Sequence, residues 1–159
     1  MGRKENTSRG GLDEKDLKIL EILQKDSDIT FTELGNMLNI SPSTAYMRVK
    51  RLKTGGYIKR MIAMLDYEKL GFKVKALIFV KTDPRKMSEV VERLSAKDRI
   101  VAIYDVTGEP TIVLIAITKN HIDLADLLDQ IGKIEGVLST NTMIIMRTFK
   151  ESFEVALTR

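Results

Sequence analysis

The sequence predicts an α+β fold in two parts, and three observations lead there. Residues 12–65 carry helix-period apolar stripes punctuated by capping residues. Residues 73–149 alternate strand and helix signals in the order β-α-β-β-α-β. The charge divides at the same place: residues 1–65 hold twelve Lys and Arg against eight Asp and Glu, and residues 66–159 hold fourteen of each. The whole net charge of +4 therefore lies in the first part, which points to an anionic partner for that part alone. With 159 residues, 43% of them hydrophobic, the chain can bury two small cores.

The elements follow in order. Residues 1–11 are polar, end in Gly10-Gly11 and read as a flexible basic arm with Arg3, Lys4 and Arg9. A first helix opens at Asp13, an N-cap, with Asp16 in the first turn where its charge suits the helix N-terminus. Leu12, Ile19 and Leu23 form its stripe, and it ends near Lys25. The segment DSDIT is loop chemistry, with Ile29 packing under the next helix. A short second helix begins at Thr30 or Phe31, with Leu34, Met37 and Leu38 apolar. Gly35 in its middle costs about 1 kcal/mol relative to Ala, which close approach of another helix would offset. Asn39 tolerates the left-handed conformation that a tight turn needs. Ser41 and Pro42 are an N-cap and a proline at the first helical position, so a third helix runs from Pro42 to about Thr54 and stops at Gly55-Gly56. Spacing turns Ala45, Val49 and Leu52 inward. It leaves Ser43, Thr44, Tyr46, Met47, Lys50 and Arg51 outward, with Arg48 and Lys53 on the flanks. Residues 56–60 turn into a strand that 61–65 continue, completing residues 12–65 as a domain.

Residues 66–72, DYEKLGF, link to a second domain at 73–149. Its predicted elements are a strand at Lys73–Thr82, a helix at Lys86–Ala96, strands at Ile100–Thr107 and Thr111–Thr118 around the turn Gly108-Glu109-Pro110, a helix from His121 to Ile131 capped by Asn120, and a long strand at Val137–Phe149. Residues 150–159 form a tail that packs on a neighbour or on nothing. The whole is an N-terminal winged helix-turn-helix followed by a ferredoxin-like βαββαβ domain.

A helix-turn-helix places its second helix in a DNA major groove. Residues 41–60 contain Arg48, Lys50, Arg51, Lys53, Lys59 and Arg60 and no acid, so double-stranded DNA is the expected partner. The candidate contacts are Ser43, Thr44, Tyr46, Met47, Arg48, Lys50 and Arg51 on the third helix, and Lys59 and Arg60 on the wing. Alternatives stay open for some of them. Arg48 contacts DNA or braces the fold; Lys59 and Arg60 touch phosphate or form a plain exposed strand. The arm cations add counterion release or make no contact.

Three segments carry a family likeness: LDEKDLKILEILQKD, ELGNMLNISPSTAYMRVKRLKTGGYIKR, and the VTGEP turn. Over residues 12–149 the chain resembles the leucine-responsive regulatory protein/AsnC, or feast/famine, transcription regulators. The resemblance implies homodimers paired through the second domain, assembly into octamers or other discs, and binding to pseudo-palindromic DNA. It also implies an amino-acid effector held between dimers near a Gly-Asp/Glu-x-Asp turn, here Gly108-Glu109-Pro110-Thr111. By family position the effector residues would be Tyr104, Gly108, Glu109, Thr111, Thr140 and Asn141. Thr111 stands where the family has Asp, which removes a carboxylate for an α-ammonium group. Gly35 and Asn39 stand where the family often has Ala and Gly.

Other classes are constrained by what the sequence contains. With no cysteine there is no disulfide, thiolate metal site or Cys nucleophile. His121 is the single histidine, too few for a multi-His metal site. No catalytic residue, metal ligand or cofactor is expected, and Asp123, Asp126 and Asp129 read as a solvated helix side rather than a hard-metal site. No apolar run spans a bilayer and no apolar segment follows the basic start, so no membrane partner is expected and the cytoplasm is the expected location. Two alternatives stand beside this reading: siroheme decarboxylase-like enzymes of the same two-part build, which surround a tetrapyrrole with His and Arg, and an architectural chromatin-like protein that wraps DNA with little sequence preference.

Overall fold

The computed structural model describes residues 11–109 and 111–157, so the expectations for Arg3, Lys4, Arg9 and Pro110 lie outside the described residues. The chain forms two compact units, Met1–Met64 with Lys150–Arg159, and Leu65–Phe149.

The first unit is built on three helices: α1 (Glu14–Lys25), α2 (Phe31–Leu38) and α3 (Pro42–Thr54). Each start has a side-chain cap that satisfies a backbone N–H with no partner inside the helix. Asp13 and Asp16 form a capping box, the Asp16 N–H donating to Asp13 Oδ1 at 2.8 Å and the Asp13 N–H to Asp16 Oδ2 at 3.1 Å. Thr30 and Glu33 repeat that arrangement on α2, and Ser41 Oγ accepts the Thr44 N–H on α3. Ile19, Leu34, Ala45 and Leu52 are fully buried, with Leu12, Leu38 and Val49 beside them. Met37, expected in this core, is 61% exposed. The α2–α3 turn has the expected αL residue, Asn39, at φ 51°. Gly35 is crowded by this turn rather than by a helix: a Cβ there would stand 2.7 Å from the Ile40 carbonyl oxygen.

Two expectations change here. Residues 58–66 form no strand, and residues 59–66 are exposed. The N–H groups of Tyr57 and Ile58 return to the Leu52 carbonyl at 3.0 and 3.2 Å, and the segment beyond joins no ladder among the described residues. A strand exists only where another strand supplies its donors and acceptors, which residue pattern alone cannot guarantee. The tail, in turn, packs on its own chain. Gln24 Nε2 donates to the Val155 carbonyl at 3.1 Å, the Val155 N–H donates to Gln24 Oε1 at 2.9 Å, and the Leu157 N–H donates to Glu21 Oε1 at 2.8 Å.

In the second unit β1 (Val74–Thr82), α4 (Met87–Ser95), β2 (Ile100–Asp105), β3 (Ile112–Thr118), α5 (His121–Gly132) and β4 (Val137–Ile144) follow the expected order. The sheet runs β2-β3-β1-β4 with every neighbouring pair antiparallel. Alternation along β1 turns Val74, Ala76, Ile78 and Val80 toward Val90 and Leu94 of α4 and Leu124, Leu127 and Ile131 of α5. Both helices therefore cover one face. The other face carries Leu77, Phe79, Val113, Ile115 and Met143. β4 stops at Ile144 rather than Phe149. The Ile145 N–H makes one more bond to the Lys75 carbonyl at 2.9 Å, one residue from the start of β1 at Val74.

Candidate nucleic-acid interface and effector turn

Helix α3 owes its position to Ala45, Val49 and Leu52, 0–2% exposed against α1 and α2. That packing turns Ser43, Thr44, Tyr46, Met47, Lys50 and Arg51 outward, and a shallow groove of about 490 Å³ is lined by Thr44, Met47, Arg48, Lys50, Arg51 and Thr54. Tyr46 is braced edge-on by Phe31 of α2, with ring centroids 5.4 Å apart. The hydroxyls of Ser43 and Thr44 lie 3.0 and 2.8 Å from the capping Ser41 Oγ, which fixes them at the start of the groove.

The cations divide into two kinds. Arg48 Nη1 donates to Asp13 Oδ2 at 2.7 Å and to Asp16 Oδ1 at 2.8 Å, and Arg51 Nη2 donates to Asp16 Oδ2. Arg48 is only 24% exposed in its side chain and Arg51 60%, while Asp16 is fully buried. Hydrogen bonding to Asp13, against the opposing effect of burial, raises the Arg48 pKa above the ordinary guanidinium value. Burial pushes the Asp13 carboxyl up, but the Asp16 N–H and the Arg48 guanidinium outweigh it and hold its pKa below 3.8. Of the two uses open to Arg48 in the sequence, the geometry displays the brace: its guanidinium ties α3 to the first turn of α1. Lys50, Lys53, Lys59 and Arg60 are the second kind. They are exposed, and no carboxylate among the described residues pairs with them.

The sequence reasoning missed Asp13 and Asp16 as electrostatic partners of α3. The available signal was a matched spacing, two acids three residues apart on α1 and two arginines three residues apart on α3. One helical turn separates the members of each pair, so the pairs can meet.

The effector candidates do not form one cluster. Gly108 turns the β2–β3 hairpin at φ 96°, and the Val106 N–H closes it on the Thr111 carbonyl at 2.9 Å. Lys81 Nζ donates to Glu109 Oε2 at 2.9 Å, and the Thr111 and Thr82 hydroxyls lie 3.3 Å apart. Glu109, Lys81, Ser139, Asn141, Phe79 and Met143 line a shallow depression of about 360 Å³. Two candidates stand apart. Tyr104 is on edge strand β2 and Asn141 on the opposite edge strand β4, three strand spacings or about 14 Å away. Thr140 opposes Val80, so the pleat turns it to the helix-covered side while Asn141, opposite Phe79, faces the other way. Asp123 of the acidic helix side is held by Arg99 Nη1 and by the Lys119 N–H, the latter at 3.0 Å. His121 is exposed at the start of α5.

Comparison with known proteins identifies both parts of the chain. Residues 12–59 match a winged helix-turn-helix DNA-binding model, and residues 75–155 match the Lrp/AsnC ligand binding domain. The HTH-type transcriptional regulator FL11 of Pyrococcus furiosus is 40% identical over 92% of this chain and 97% of its own length. LrpC of B. subtilis superposes with a TM-score of 0.77 at 27% identity, over 87% of this chain and 97% of that one. A transcriptional regulator of Neisseria meningitidis, solved as an L-Met complex, has the same fold at a TM-score of 0.86 and 23% identity, over 91% and 96% of the two chains. No helix among the described residues is long and apolar enough to cross a membrane. A helix-turn-helix unit joined to a βαββαβ sheet thus meets both family models and relatives matched along almost their full length, and the chain belongs to the Lrp/AsnC family of HTH-type transcriptional regulators.

Proposed function

We propose that this regulator acts as a homodimer on pseudo-palindromic duplex DNA, its two α3 helices entering successive major grooves about 34–36 Å apart. The observation that carries the reading is the division of cations on the first unit. Arg48 and Arg51 are bonded to acids of α1, whereas Lys50 and Lys53 stand exposed with no acid partner among the described residues. Lys50 and Lys53 suit phosphates, as do Lys59 and Arg60 beyond the helix; Ser43, Thr44, Tyr46 and Met47 suit base edges and thymine methyls. Arg48 is withdrawn from the contact set and serves as the brace. The uncovered sheet face with Leu77, Phe79, Val113, Ile115 and Met143 suits a second copy of the chain. An amino-acid effector finds an acceptor in Glu109 and a donor in Lys81 beside Asn141, with Gly108 shaping the turn and Thr111 behind it. Tyr104 and Thr140 join such a site only if another protomer brings them near.

Selection of bound sequences from random duplex DNA, with and without a mixture of amino acids, tests the reading. Enrichment of two inverted half-sites about one helical turn apart is the expected result. Failure to retain duplex DNA even in dilute buffer would overturn it, and equal retention of all sequences would favour architectural wrapping. The enzyme reading lacks a supporting observation, since His121 is the sole histidine.

A further inference from the structure

Asp16 is fully buried, sits in the first turn of α1 and accepts hydrogen bonds from both Arg48 and Arg51 of α3. A carboxylate this enclosed must be paired and hydrogen-bonded, and Arg48 is already shared between Asp13 and Asp16. Arg51 is the second cation of this cluster, and it comes from a helix face that is otherwise solvent-exposed. We propose that Asp16 is a positioning residue for DNA reading: it orients the Arg51 guanidinium so that its remaining two-donor edge meets a guanine in the major groove.

The chemistry of the guanidinium supports this assignment. Its five N–H groups form two parallel-donor edges that share Nη2, one made with Nε and one with Nη1. Asp16 Oδ2 engages Nη2, and whichever of its two hydrogens is used, the other edge keeps both donors. That edge matches the O6 and N7 acceptors of guanine. The charge balance selects a base over a phosphate. Asp13 and Asp16 offset Arg48 and Arg51 one for one, so the cluster offers directed donors with little net charge. Neutral acceptors on a base edge suit such a group, whereas phosphates are better served by Lys50 and Lys53. Arg51 is 60% exposed and lines the α3 groove with Thr44, Met47 and Lys50, so its side chain is accessible from the face that a duplex would meet.

This inference rests on the DNA-binding reading, and the test separates the two. Binding sites are selected from random duplexes for the wild-type chain, Arg51→Lys and Asp16→Asn, and affinities are measured on the winning site and on copies with each guanine replaced. Arg51→Lys keeps the charge and loses the fork. It is expected to keep its affinity for random DNA while its preference for one guanine per half-site falls by about tenfold or more. Asp16→Asn is expected to lose the same preference and to bind random DNA more tightly, with the salt dependence steeper by about 0.9 per protomer as Arg51 turns to phosphate. Retention of the full preference by Arg51→Lys overturns the proposal. So does equal weakening on every sequence, which marks a phosphate contact, or an Asp16→Asn protein that melts earlier yet keeps the preference, which marks a purely structural carboxylate. Should Asp16→Asn fail to fold, Arg51→Lys decides alone. A wild-type chain that ignores duplex DNA overturns the underlying reading instead.

Discussion

Replacing Lys50 by Ala isolates the electrostatic part of DNA binding. Lys50 is exposed on α3 and its ammonium has no carboxylate partner among the described residues, so the substitution breaks no bond within the fold. The proposed interface offers four such cations among the described residues, Lys50, Lys53, Lys59 and Arg60. A dimer that sets all of them against phosphates makes about eight contacts, and at about 0.9 per contact log K falls with log salt at a slope near −7. Between 50 and 200 mM salt that is a loss of about 2 × 10⁴ in affinity. Lys50→Ala removes two contacts per dimer and brings the slope to about −5, a loss of about 2 × 10³ over the same range. Fluorescence anisotropy with a labelled duplex at four or five salt concentrations measures both slopes. Lys18→Ala is the control, because Lys18 pairs with Glu14 at 3.1 Å on α1 and should leave the slope unchanged. A Lys50→Ala slope equal to that of the wild type would refute the assignment of Lys50 to a phosphate. A wild-type slope shallower than about −3 would refute the interface as a whole.

The second unit offers a steric test at Gly136, which has φ 100° and would place a Cβ 2.7 Å from Lys86 Cβ and 3.0 Å from Val90 Cγ2. Backbone strain and overpacking together should make Gly136→Ala cost about 2–5 kcal/mol in urea unfolding, and a cost under about 1 kcal/mol would mean that the turn yields. Acid should weaken the first unit. The folded pKa of Asp13 lies below its ordinary 3.8, so the stabilisation is complete above that value and is lost as the pH falls through the lowered one. Urea midpoints at pH 6, 4 and 3 should therefore drop more steeply for wild type than for Asp13→Asn, and parallel curves would contradict the pairing. Gln24→Ala should speed hydrogen exchange at the Val155 amide while changing global stability by less than about 1 kcal/mol, since the contact is exposed; unchanged protection would show that the tail is held by other means.

Features set by neighbouring residues were legible in the sequence. Asp13, Ser41, Pro42, Asn39 and Asn120 each act within four residues, and all five occupy the cap or turn positions that their chemistry suggests. The α3 faces were legible for the same reason, since helical period fixes them once the start is known. Features set by distant partners were not. The wing strand and the last turns of β4 were over-extended because pairing, not β-propensity, decides where a strand exists. Met37 follows the apolar pattern of α2 but is 61% exposed. Arg48 appeared as a flank residue because its partners Asp13 and Asp16 lie more than thirty residues away. The effector set came from resemblance. Alternation along β4 then divides it, with Asn141 and Thr140 on opposite faces of the sheet.

The hydrogen bonds between Gln24 and Val155 span 131 positions of the chain. At a synthesis rate of about 5–20 residues per second, a ribosome needs about 7–26 s to travel from one to the other. During that interval the helices can collapse on one another, but α1 waits for its last partner until the entire sheet-forming segment has been made. The unit translated first is thus among the last to be completed, and the nascent regulator meets DNA, if at all, with this edge of α1 still bare.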